Sequence, residues 1–181
     1  ARGCCAAAYD AAVEVLRFQA PPQAAISVLS WNSQRLAASV QGSKEHWLCE
    51  LLESARPAVA FVFEVDGALD DFKALRGRLC KIRYDLKWIV GENSFATGTQ
   101  VNGVAVLVAR EQAAVVACKR LAERCVGVVL QHKVDTQRRA YVGMHGIQAP
   151  KAFGVQLREA EDFLMKQGGG LLMGDLNHVP C

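Results

Sequence analysis

The chain has 181 residues, of which 51% are apolar and 22% charged, with a formal net charge of +3. Such a length and composition suit one globular domain with a sizeable core, and they exclude a disordered chain. The mild positive charge permits a polyanionic partner without requiring one, and no apolar run approaches the ~20 residues of a membrane-spanning helix.

Residues 1–24 read as a leader outside the core. Residues 6–18 have the alanine content of a helix, which Pro21-Pro22 would end. From residue 25 strands and helices alternate. Residues 26–31 predict a strand. Ser43 stands where a helix cap belongs, and Trp47, Leu48, Leu51, Leu52 and Ala55 form the apolar stripe of the helix it starts. After Pro57, residues 58–63 are a continuous apolar run, the mark of a strand covered on both faces. Leu69, Phe72, Leu75, Leu79 and Ile82 keep helical spacing, and residues 86–90 predict another strand. Residues 91–102 are polar and glycine-bearing and read as a loop. A second fully apolar strand follows at 103–109, then strands near 113–118, 126–134 and 139–144. Phe153, Leu157, Ala160 and Leu164 predict a helix that Gly168-Gly169-Gly170 ends, and residues 171–173 predict the last strand.

Strands outnumber helices, and helices lie between covered strands, so the pattern is a layered α/β or α+β sandwich. It contains no G-x-G-x-x-G, no phosphate-binding P-loop and no G-x-S-x-G elbow. The seven cysteines are scattered, odd in number and free of zinc-type spacing. With no signal-like segment, they read as free thiols in a reducing, intracellular compartment, nuclear or cytoplasmic.

Four strand ends carry polar groups that a plain core does not need. Asn32 follows Trp31, and Glu64 follows Phe61-Val62-Phe63. His145 and Gln148 lie in HGIQAP, and Asp175 and Asn177 lie in LLMGDLN. Residues two apart on a strand share a side, so Asp175 and Asn177 converge on one spot. Each group alone has an ordinary explanation: a loop cap, a solvated strand terminus, a strand histidine or a turn starter.

Taken in order, five segments resemble the endonuclease/exonuclease/phosphatase superfamily. ISVLSWN resembles its opening strand, RPAVAFVFEVDG the strand ending in its metal-binding Glu, and NGVAVLVA its G-V-A-I-L strand. GIQAP resembles the I-Y-A-P strand end, and LLMGDLNHVP the G-D-F-N strand. The resemblance covers residues 25–181 and implies a four-layer α-β-β-α sandwich. The endonuclease domains of non-long-terminal-repeat retrotransposons are the nearest in feel.

The resemblance further implies a phosphodiester hydrolase, with DNA as the leading substrate. Glu64 would hold Mg²⁺ (or Mn²⁺, which also suits oxygen ligands), with Asn32 supporting the metal or the phosphate. Asp175 would orient and activate the attacking water, and Asn177 would contact the phosphate or hold Asp175. Two positions depart from the family pattern: Gln34 stands where an Asn or Asp is common, and Gln148 replaces the Tyr. His145 is a candidate replacement ligand for the phosphate, and His178 reads as a loop residue. The family's later Asp and Asp-His motifs do not follow within the sequence. The expectation is therefore a domain cut short, with an exposed edge, weak stability and little activity. Two other readings stay open: a hydrolase of the same fold acting on RNA, inositol phosphates or sphingomyelin, and a decayed, non-catalytic module.

Overall fold

The computed structural model describes residues 13–18, 26–33, 36, 43–67, 69–89, 92–93 and 100–176. The described strands form two sheets. The first takes β1 (Val13–Phe18), β2 (Ile26–Asn32), β3 (Val59–Gly67), β6 (Gln100–Ala109) and β4 (Tyr84–Ile89) in that spatial order, with the short β5 (Glu92–Asn93) also on β6. The second runs β10 (Gly170–Asp175), β9 (Arg138–His145), β8 (Cys125–His132), β7 (Ala113–Ala122). Helices α1 (Ser43–Ala55) and α2 (Leu69–Lys81) accompany the first sheet, and α3 (Pro150–Lys166) accompanies the second.

Side-chain alternation assigns the central strands two buried faces. Phe61 and Phe63 on β3, with Val104, Val106 and Val108 on β6, meet Val126, Val128, Leu130 and Tyr141 of the other sheet. Ala60 and Val62 instead join Leu48 and Leu52 of α1 and Phe72, Leu75 and Leu79 of α2. Across the molecule Val142 and Met144 of β9 pack with Ala160 of α3. The result is helix, sheet, sheet, helix, the expected four layers. Burial on both faces explains why the runs at 58–63 and 103–109 are continuously apolar.

The inter-sheet layer is tight. A Cβ on Gly143 of β9 would stand 2.2 Å from the Phe61 ring, so the absence of a side chain there makes room for that ring. Trp31, on the outer face, packs against Trp47 of α1 with ring centroids 4.9 Å apart and the ring planes tilted by 52°.

Three expectations need correction. Residues 13–18 are a strand, not part of a helix, and β1 pairs antiparallel with β2, so this part of the leader joins the first sheet. Val13-Glu14-Val15 offers β-branched residues at period two, and an open sheet edge outweighs the weak helical preference of the preceding alanines. The stripe of α3 is also shifted: Leu157 is exposed, and Gln156 is buried beside Ala160. Finally, β5 and the start of β6 lie within the segment expected to be a loop. Gly168 and Gly169 do end α3, with φ of 80° and 109°, and their N–H groups close on Met165 and Leu164 carbonyls.

Candidate active site

Strand parity builds the site. On β2, Ile26 and Val28 face the second sheet, so Asn32 does too; on β9, Tyr141 and Gly143 face the first sheet, and so does His145. On β10, Met173 faces inward and Asp175 follows two residues later. Strands β2 and β3 are parallel, as are β9 and β10. Inward side chains of β2, β9 and β10 therefore gather with the end of β3, at the mouth of the seam between the sheets.

Glu64 reaches that mouth by a different route. It has a φ of 55°, and the β3–β6 register shifts between Phe63 and Val65. This is a bulge with one extra residue in the left-handed region. After it Val65 packs on the helix side rather than between the sheets, so the bulge reverses the alternation and turns the Glu64 side chain toward the seam. The buried Ser33 secures the bulge, because its hydroxyl lies 2.8 Å from the Phe63 carbonyl and 3.1 Å from that of Glu64. A backbone strained in this way persists only where its surroundings hold it.

The groups touch. Asn32 Nδ2 donates to Glu64 Oε1 at 3.0 Å and to Asp175 Oδ2 at 2.8 Å. One carboxamide thus joins the carboxylate of the first sheet to that of the second. His145, 2% exposed, brings Nε2 to 3.5 Å from Glu64 Oε1. Burial pushes the His145 imidazole below its usual pKa and Arg124 adds to the effect, while Glu64, Asp175 and Asp66 oppose it.

Of the residues expected in the site, Asn32, Glu64, His145 and Asp175 come together. Gln148 stands exposed on the turn into α3, outside this hydrogen-bonded group, because the chain has left the seam by then. Asn177, Gln34 and His178 lie outside the described residues. Two buried polar residues that bond the main chain beside these groups, Ser33 and Gln156, are not among those the sequence singles out. Gln156 has a legible signal, since it shares a helical stripe with Phe153, Ala160 and Phe163. A separate groove of about 370 Å³, lined by Leu52, Arg56, Arg83 and Tyr84 among others, lies toward the opposite end of β3.

No protein-family model and no curated protein sequence matches the chain. Solved structures do. The human nocturnin catalytic domain, described with a bound sulfate, superposes with a TM-score of 0.68 at 18% identity, over 93% of this chain. ANGEL2, a 2′,3′-cyclic phosphatase in complex with adenosine-2′,3′-vanadate, gives 0.65 at 14% identity over 92% of this chain. An endonuclease/exonuclease/phosphatase family protein from Bacteroides thetaiotaomicron also gives 0.65 at 14% identity, over 91% of this chain. The chain therefore has the fold of the endonuclease/exonuclease/phosphatase superfamily. It spans 68%, 58% and 64% of those three chains, respectively.

Proposed function

We propose that this chain is the nucleic-acid phosphodiesterase part of a hydrolase, with DNA as substrate. The observation that carries the reading is the Asn32 carboxamide holding Glu64 and Asp175 together across the two sheets. Two carboxylates at one part-buried spot repel each other and an anionic substrate alike, so the arrangement calls for a cation. Among the described residues no group of three or more His, Cys, Asp or Glu side chains is placed to hold an ion by itself. A hard cation that keeps most of its waters and takes one or two carboxylates fits this donor set, and a closed zinc-type cage does not. Glu64 would hold it, with Asn32 beside it. Mg²⁺ or Mn²⁺ bound there would supply charge neutralisation and polarisation of the phosphoryl oxygen.

The chain's own residues supply orientation and proton transfer. Asp175 accepts a hydrogen bond from Asn32, which fixes its carboxylate, and it takes a proton from the attacking water. His145 flanks Glu64 from the inner side, with Nε2 3.5 Å from Oε1. Asn32 keeps both carboxylates in one orientation, so little reorganisation is needed when the substrate arrives. Asn177, one residue past the described part of the strand end, is assigned to the phosphate.

The choice of nucleic acid draws support from D. rerio TDP2, described in complex with a single-stranded DNA product, which superposes with a TM-score of 0.58 at 14% identity. A retrotransposon setting rests on the motif resemblance alone. The ANGEL2 likeness favours a second reading, a 2′,3′-cyclic phosphate at an RNA end. Purified protein would be given plasmid DNA, oligo-adenylate and a 2′,3′-cyclic phosphate, each with Mg²⁺. Nicking of plasmid that falls by roughly 10³-fold in Asp175→Asn supports the DNA reading. Cleavage confined to the RNA substrates transfers the proposal to RNA, and equal cleavage by Asp175→Asn removes it.

A further inference from the structure

We infer that Gln156 is a positioning residue for this site. From α3 it fixes the main chain at the end of β9, and through it the placement of His145 and Asp175 relative to Asn32 and Glu64. The inference rests on the reading that these four groups act together.

At its C-terminal end β9 outruns its strand neighbour. β8 pairs with β9 as far as Cys125 opposite Met144, and the His145 N–H then bonds the Arg124 carbonyl at 2.9 Å. Beyond that point the β7–β8 turn leads away, and Arg124 itself has a φ of 52°. The next groups on that side of β9 are the His145 carbonyl and the Ile147 N–H. Gln156, only 1% exposed, meets both: Nε2 donates to the His145 carbonyl at 3.1 Å, and Oε1 accepts from the Ile147 N–H at 3.1 Å. A carboxamide presents a donor and an acceptor side by side, as a peptide group does, so one side chain stands in for one more residue of a neighbouring strand. Nε2 also donates to the Glu123 carbonyl at 2.6 Å, which ties the departing turn to the same point.

On the opposite side of β9, the Gly146 N–H bonds the Asp175 carbonyl at 2.7 Å. A Cβ on Gly146 would stand 2.1 Å from the Leu176 carbonyl, so the two strands are in close backbone contact here. Residues 145–147 are thus gripped from α3 on one side while they grip Asp175 on the other. A shift of their main chain moves His145 directly and Asp175 through this contact.

The test uses the full chain and Gln156→Met, which keeps the volume and loses the hydrogen bonds. With the amides of β3 and β8 exchanging as in the parent, the Ile147 amide is expected to exchange at least about tenfold faster. The Asn32 side-chain amide protons should shift in the NMR spectrum, because their Asp175 acceptor has moved. On the DNA substrate, kcat should fall about tenfold or more while KM stays within about twofold. A folded Gln156→Met with unmoved Asn32 resonances and unchanged kcat overturns the inference, since a purely structural glutamine predicts that result. Should this variant not fold, Gln156→Glu keeps the acceptor for Ile147 and is put through the same two measurements: a shifted Asn32 amide with reduced kcat supports the positioning role, and no change in either overturns it. If the parent cleaves none of the substrates, the phosphodiesterase reading fails by itself, and the Asn32 shift alone decides the positioning role.

Discussion

At the scale of single residues, Glu64 combines two demands that conflict. Its carboxylate is wanted at the seam, while its backbone sits in a region that favours glycine. Glu64→Gly should therefore leave stability in urea unchanged or raise it by up to about 1 kcal/mol, although cleavage is abolished. A loss of stability beyond about 1 kcal/mol would show that the Asn32 contact outweighs the backbone strain. Millimolar Mg²⁺ should raise the melting temperature of the parent and have little effect on Glu64→Gln, because an ion bound only to the native state stabilises it. The sequence marks Glu64 as the end of an apolar strand, but nothing in Phe63-Glu64-Val65 announces the left-handed bulge, which exists only because β6 and Ser33 hold it. Gln156 is inconspicuous for a related reason: a glutamine on a helix is ordinarily solvated, and only its place among Phe153, Ala160 and Phe163 sets it apart.

At the scale of elements, glycines decide how closely strands and layers approach. Gly143→Ala would force a methyl against the Phe61 ring and should cost about 1–3 kcal/mol, with Phe61→Leu restoring part of the loss. Additive losses in a double-mutant cycle would show that the two positions are independent. The legibility of elements follows the same physics. β3 and β6 stand out in the sequence because helices and a second sheet cover both their faces, and α1 and α2 because each has one buried stripe. β7 extends past the strand its sequence predicts: Lys119 and Arg120, where it continues, are charged and exposed and give no apolar pattern to follow. β1 is illegible locally, because helix propensity is a property of neighbouring residues, while the edge of β2 that recruits it belongs to a strand further along the chain.

At the scale of the whole molecule, acid should loosen the second sheet. His132 is buried, with Nε2 2.8 Å from the Tyr141 hydroxyl. Burial, reinforced by Arg139, lowers the His132 pKa, and burial raises that of Tyr141 to about 12. The folded state therefore resists protonation of the ring. The contribution is fully present above the unfolded value of about 6.5 and is lost as pH falls through the lower folded value. His145 is shifted in the same direction. The unfolding free energy in urea should fall as the pH is lowered below about 6.5, with a slope of at most about 1.4 kcal/mol per pH unit for each histidine. His132→Phe should flatten that slope, and an unaltered slope would exclude His132 as a source.

The contact between Asn32 and Asp175 has a consequence for how the protein fails. It is a bond between two sheets that otherwise meet largely through apolar side chains, whose individual contacts are weak and undirected. A displacement of one sheet relative to the other too small to unpack that layer still alters the Asn32–Asp175 contact, and with it the spacing of the two carboxylates. Warming should therefore silence the enzyme some degrees before the melting transition, and cooling should restore it. Under the proposed function, catalysis would serve as a gauge of sheet alignment, so substitutions buried far from the mouth should dim activity while circular dichroism records no change.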